Sequence, residues 1–102
     1  MDTVIEKIIG TIVDEVGPDK IILFGSRARK EDKEQSDYDI CVIKNGVDHR
    51  RKLAQKIYRS LYDVGASVDI IVETPERFDE LKENRFMIYK EIATQGQVVY
   101  EK

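Results

Sequence analysis

Ile21-Ile22-Leu23-Phe24-Gly25-Ser26-Arg27-Ala28-Arg29 is followed, across the polar stretch from Lys30 to Ser36, by Asp37-Tyr38-Asp39-Ile40-Cys41-Val42-Ile43. The first four residues are a short unbroken apolar run, which predicts a strand buried on both faces. Gly25 ends that strand, and Ser26 is expected to cap a short helical turn that reaches Arg29. Residues 37–43 predict a second strand, with Asn45-Gly46 as its turn. Side chains alternate across a strand, so Asp37 and Asp39 point to one side, with β-carbons roughly 6.5–7 Å apart, and Tyr38 to the other. If the two strands run antiparallel, Gly25-Ser26 and the carboxylate pair share one end of a sheet.

The flanking sequence supplies the rest of that sheet and its cover. Val4, Ile5, Ile8, Ile9, Ile12, Val13 and Val16 recur at helical spacing and predict a helix over 3–16, stopped by Gly17-Pro18. Leu53, Ala54, Ile57, Tyr58 and Leu61 predict a helix from about Asp48 to Tyr62. Ser67 to Val72 reads as a third strand, and Thr74-Pro75 as a helix start. Phe78, Leu81, Phe86, Ile88, Tyr89 and Ile92 predict one or two closing helices, and Gln97 to Tyr100 a short final strand. The order predicts an α+β (mixed α/β) fold, a small mixed sheet flanked by helices, in a single domain over residues 1–102.

Composition narrows the function classes. The chain has 102 residues, enough to bury roughly two-thirds of its unfolded surface. Seventeen basic against twenty acidic residues give a net charge of -3, the wrong sign for strong sequence-independent binding of nucleic acid. No apolar run approaches the ~20 residues of a membrane helix. The N-terminus, Met1-Asp2-Thr3-Val4, lacks the basic flank and cleavage site of a signal peptide. One cysteine, Cys41, cannot form an internal disulfide and is expected in the core. These features together predict a cytoplasmic protein.

The chemistry-bearing residues are few. Without a β-carbon, Gly25 lets backbone amides approach phosphate oxygens, and Ser26 adds a hydroxyl donor. Arg27 and Arg29 carry guanidinium forks that match phosphate geometry. Asp37 and Asp39 could bridge two magnesium ions roughly 3.5–4 Å apart. Asp69, inside the apolar run Val68-Asp69-Ile70-Ile71-Val72, is costly to bury unless paired or metal-bound. Taken singly, each has an ordinary reading: a turn, a solvated strand entry, a salt-bridge partner. Their joint occurrence at strand ends favours one site for a nucleotide and its metals.

At these residues the chain resembles the minimal nucleotidyltransferase (MNT) group of the superfamily that includes DNA polymerase β, whose signature is G-S, ten residues, then D-x-D. The likeness covers nearly the whole chain: Leu23 to Arg29, Ser36-Asp37-Tyr38-Asp39-Ile40, Val68-Asp69-Ile70-Ile71, and Ile88-Tyr89-Lys90-Glu91-Ile92 with Gly96. The resemblance implies a polymerase β-like fold in which Gly25 and Ser26 hold the β- and γ-phosphates of ATP. It implies that Asp37 and Asp39 ligate two magnesium ions and that Asp69 serves the metal on the nucleophile side. One position departs from the pattern: Lys30 stands where glycine commonly follows the second arginine. Several MNT proteins are antitoxins that transfer AMP to a tyrosine of a HEPN-domain toxin, which implies a HEPN-type partner and assembly with it. A chain this short is expected to leave acceptor binding to that partner. Two other readings are a nucleotidyltransferase for a small, antibiotic-type hydroxyl and a non-catalytic module that blocks its partner.

Two surface features stand apart. His49-Arg50-Arg51-Lys52, with Lys56 and Arg59, predicts a basic helix face, either solvated or docking an acidic partner or RNA bound to one. Phe86, Met87, Ile88 and Tyr89 form an apolar cluster expected in core packing, with a partner interface as the alternative, and Tyr58, Tyr62 and Tyr100 are expected to be packing residues.

Overall fold

The computed structural model describes residues 2–102; Met1, where the reading of the N-terminus begins, lies outside them. Residues Thr3–Val16 form helix α1, because Ile5, Ile8, Ile12 and Val16 recur every three or four residues and bury one stripe. Its ends are closed locally. The Asp2 carboxylate accepts from the Ile5 amide at 2.8 Å, and Gly17, in the left-handed region, donates to the Val13 carbonyl. Strand β1 (Lys20–Phe24) leads into a four-residue helix α2 (Gly25–Ala28). Then come β2 (Tyr38–Ile43), α3 (Arg50–Ser60) and β3 (Val68–Glu73). Helices α4 (Pro75–Leu81) and α5 (Ile88–Gln95) precede β4 (Gln97–Glu101).

The strands make one mixed sheet in the order β3-β2-β1-β4. β1 runs antiparallel to β2 and to β4. β2 and β3 are parallel, which requires the crossover that α3 provides. This is the α+β architecture that the element order predicts.

The sheet has two distinct cores. On one face Leu23, Ile40, Val42, Ile70 and Val72 pack with α1 and α3. On the other, Ile22, Phe24, Cys41 and Ile43 pack with Tyr89 and Ile92 of α5. Strands β1 and β2 are therefore covered on both sides, which is why Ile21 to Phe24 reads as continuous apolar sequence. Cys41 is fully buried, and burial pushes its thiol up to about 12. No helix among the described residues is long and apolar enough to cross a membrane.

One charge lies inside this second core. Glu73, at the end of β3, has no exposed surface. Its Oε1 accepts from Arg50 Nη1 at 2.6 Å and from Tyr89 Oη at 2.8 Å, and its Oε2 from the Thr74 amide at 3.1 Å. Burial first, then that hydrogen bond, pushes the Tyr89 hydroxyl up to about 12. A buried carboxylate is tolerable only when its lone pairs are met this way. Glu73 thereby ties the start of α3 to the start of α5.

Several expectations are corrected. Ser26 does not cap α2: Phe24 occupies the N-cap and Ser26 lies within the first turn. Helix α3 is shorter than 48–62, since the chain leaves the helix at Leu61 and Tyr62 is 92% exposed. Tyr58 is also exposed, although its Oη accepts from the Ile70 amide of the edge strand β3 at 2.8 Å. Of Phe86, Met87, Ile88 and Tyr89 only Tyr89 is buried; Phe86 is 85% exposed, with Met87 and Ile88 exposed beside it. The helical stripe there begins at Tyr89, so the three residues before or at the helix start have no face to pack against. The Thr74-Pro75 start behaves as expected, with Thr74 Oγ1 accepting from the Arg77 amide at 3.3 Å.

Candidate active site

Gly25 opens α2 at φ 74°, a conformation that costs glycine nothing and a side-chain-bearing residue a good deal. Space demands glycine as well. A β-carbon placed there would overlap Asp39 Oδ2 and lie 3.0 Å from Asp39 Cγ. The Asp39 carboxylate therefore rests on the bare Cα of the turn.

Strand register sets the rest. Phe24 pairs with Asp39 across β1 and β2, and Asp39 pairs with Asp69 across β2 and β3. Paired residues on neighbouring strands point to the same side. Gly25-Ser26, Asp39 and Asp69 thus converge at one end of three adjacent strands. Asp37 falls one residue outside β2 and is exposed, so it stands at the rim of this group. Tyr38, between the two aspartates, turns to the opposite face and is buried there.

The electrostatics follow from that convergence. Burial raises the Asp39 carboxyl above its ordinary value of 3.8. The charges of Asp69 and Asp37, a hydrogen bond with Asp69 and the charge of Glu91 push it further the same way. A divalent cation relieves this repulsion, and hard carboxylate oxygens are what magnesium prefers. The donor chemistry of the three aspartates fits such an ion. Among the described residues, no three acidic, histidine or cysteine side chains are already gathered tightly enough to hold one. Asp39, half-buried, and Asp69 stand side by side. Asp69, expected within a buried run, is exposed because β3 is an edge strand whose end is uncovered there. Asp37 is the carboxylate that would have to close on the pair.

The two arginines have different fates. Arg29 Nε donates to Glu31 Oε1 and its Nη1 to Glu91 Oε2, both at 2.9 Å. These partners, Glu31 first, raise its already high pKa. Because the charge of Glu91 also reaches Asp39, Arg29 lies at the edge of the site. Arg27 is not brought to the carboxylates. Its guanidinium stacks 3.8 Å from the centroid of Tyr38, on the other face of the sheet. It donates to the Ser36 carbonyl at 2.7 and 3.0 Å and to Asp32 Oδ2 at 3.1 Å. The physical reason is local: the 30–36 loop needs donors for its carbonyls, and Arg27 supplies them. Arg27, expected as a phosphate ligand, is not brought to the other site residues and clamps the 30–36 loop.

Lys30 answers the question raised by its departure from the glycine pattern. It adopts φ 60°, the left-handed conformation in which glycine is at home. The turn is kept and the side chain bears its steric cost.

Sequence reasoning missed two residues. Glu91 was visible only as part of a helix, and its link to Arg29 spans 62 positions in sequence. Glu73 shares strand parity with Asp69 and Ile71, a signal that places it on the inner face. A cavity of about 380 Å³ lined by Asp19, Lys20, Ile43, Phe78 and Glu101 lies at the far end of the strands and includes none of the site residues.

Residues 6–102 match the family model described as "Polymerase beta, Nucleotidyltransferase". A protein of Methanocaldococcus jannaschii that carries the provisional name of protein adenylyltransferase is 34% identical over 82 residues, which are 79% of this chain and 77% of that protein. Among solved structures, a chain from a toxin–antitoxin crystal structure with AMP-PNP superposes with a TM-score of 0.62 at 27% identity, over 95% of this chain and 73% of that one. A chain from the complex of a tri-AMPylated Shewanella oneidensis HEPN toxin with an MNT antitoxin superposes at 0.55 and 26%, over 95% and 69%.

Proposed function

The chain belongs to the polymerase beta nucleotidyltransferase family, and we propose that it transfers AMP from ATP to a hydroxyl of a partner protein, a HEPN-type toxin that it thereby silences. The observation that carries this reading is the register: Gly25-Ser26, Asp39 and Asp69 brought to one end of three strands. The relative named for protein adenylyltransfer and the toxin–antitoxin neighbours, one with AMP-PNP and one with an AMPylated toxin, support the donor and the class of acceptor.

In this reading the Gly25 and Ser26 turn holds the β- and γ-phosphates, with the Ser26 hydroxyl as a donor. Arg29, anchored by Glu91, supplies positive charge beside them. Asp37, Asp39 and Asp69 would hold magnesium, with Asp69 on the acceptor side; bound there, magnesium would supply neutralisation of the phosphoryl charge and favour an ionised hydroxyl. The acceptor oxygen, for which tyrosine is the proposed source, bonds to the α-phosphorus in line with the departing pyrophosphate. Asp69 takes the hydroxyl proton. Residues 1–102 act as one catalytic domain, in the cytoplasm, and the acceptor is presented by a separate chain.

Intact mass spectrometry tests the proposal. The protein is incubated with ATP, magnesium and a HEPN-domain partner, and the partner is weighed. A gain of one or more AMP units, lost with Asp39→Asn, is expected. An unmodified partner that is nevertheless silenced would instead support simple blocking.

A further inference from the structure

We infer that the groove between the β2–α3 turn and the exposed face of α3 docks an acidic polypeptide segment carrying an apolar side chain. This goes beyond the transfer reaction and does not depend on it.

The charge distribution comes first. Helix α3, Arg50-Arg51-Lys52-Leu53-Ala54-Gln55-Lys56-Ile57-Tyr58-Arg59-Ser60, carries five cations and no acid, in a chain whose net charge is -3. Three of the five occupy its first turn, where the helix field disfavours positive charge. Lys52 and Lys56 stand four apart, a spacing at which like charges repel. The fold uses one of these cations, Arg50, to satisfy Glu73. Among the described residues no salt bridge engages Arg51, Lys52, Lys56 or Arg59. Charges that weaken their own helix and serve no internal partner point outward.

The shape comes second. Lys44, Lys52 and Lys56, with His49 and a single acid, Asp48, rim an open groove of about 370 Å³ whose floor is Val47 and Leu53, so lysines outnumber carboxylates three to one around it. Both floor residues are half-buried and pack against the edge of the α1–α3 core. Cations around an apolar floor match a segment that offers carboxylates on either side of an aliphatic side chain. A single-stranded RNA wants aromatic platforms for its bases, and no Phe, Tyr or Trp lines the groove. The observations therefore favour polypeptide over nucleic acid. Helix α3 covers the face of the sheet opposite Asp39 and Asp69, so a segment held here leaves the carboxylates open.

Fluorescence anisotropy with labelled probes tests the inference on the full chain. The probes are a peptide of repeated Glu-Glu-Leu, the all-Glu and Gln-Gln-Leu peptides of equal length, and an RNA oligonucleotide. Saturable binding of the Glu-Glu-Leu peptide is expected, weakening roughly tenfold between about 50 and 300 mM salt. Losing the apolar residue in the all-Glu peptide is expected to cost about tenfold. Replacing Lys52→Glu together with Lys56→Glu should weaken binding by at least about tenfold. The neutral pair Lys52→Gln and Lys56→Gln should give a smaller loss, and it decides the matter if the reversed pair does not fold. Absence of saturation near about 1 mM peptide overturns the inference. So does binding indifferent to both lysine pairs, or RNA bound more tightly than the Glu-Glu-Leu peptide.

Discussion

Replacing Gly25→Ala should be one of the most damaging single-methyl additions in this chain, and the structure says how the damage divides. The first part is backbone strain: at φ 74° an L-residue loses on the order of 1–2 kcal/mol relative to glycine. Gly46 has nearly the same angle, φ 75°, and an added β-carbon there meets nothing within 4 Å. Gly46→Ala therefore measures the strain alone. At Gly25 the methyl also overlaps the Asp39 carboxylate, and displacing a packed group adds about 1–3 kcal/mol. For a domain near 100 residues each kcal/mol moves the melting temperature by about 4–8 °C. Gly46→Ala should then fall by one such step or two, and Gly25→Ala by roughly twice as much. The assay is thermal unfolding by circular dichroism, run as a double-mutant cycle with Asp39→Ala. Without the carboxylate, Gly25→Ala should cost no more than Gly46→Ala. Equal cost of Gly25→Ala in both backgrounds would refute the contact. Magnesium–ATP should stabilise the parent protein and not Gly25→Ala, because the carboxylate has been moved.

Other expectations follow from the same geometry. Lys30→Gly should stabilise by about 0.5–1 kcal/mol in thermal melts and Lys30→Val should destabilise, since only glycine is free at φ 60°. Glu73→Ala should cost about 3 kcal/mol in urea unfolding by stranding Tyr89 Oη and the Thr74 amide, with Arg50 able to reach water. Arg27→Ala should lower stability and loosen the 30–36 loop in hydrogen exchange, while leaving ATP affinity nearly unchanged in calorimetry. The pH dependence of metal-free stability should separate Asp39 from Asp2. Asp39 has a raised folded pKa, so its contribution is fully present below 3.8 and is lost as pH rises through the folded value. Asp2 has a lowered one, chiefly from the Ile5 amide, so its contribution is present above 3.8 and lost as pH falls through the folded value. Melting curves of Asp39→Asn should lack the first trend and keep the second.

The backbone of the site was legible because it depends on short-range rules. Ile21 to Phe24 and the parity of Asp37, Tyr38 and Asp39 follow from strand periodicity, and Gly25 from the turn between them. The parallel pairing that sets Asp69 beside Asp39 follows from the crossover helix once α3 is recognised. What stayed hidden depends on contacts that form only after the chain has folded. Arg27 looks like a phosphate ligand in sequence, yet the carbonyls of its own loop and the Tyr38 ring claim it. Phe86 looks like core by composition, but Tyr89 is where the buried stripe begins. Lys30 gave no local hint of a left-handed backbone; it showed only as a lysine where the resemblance expects glycine.

Cys41 lies two residues beyond Asp39 on β2, facing the same way and sealed under α5. Sealed, with its thiol pushed up to about 12, it should resist alkylating reagents. Reaction is expected only when β2, one of the two inner strands, separates from its cover. The protein thus carries a built-in clock for the opening of the strand that holds the carboxylates. The rate of thiol modification reads the free energy of that opening directly. Any ligand that binds only the closed sheet must slow the clock in proportion to its occupancy.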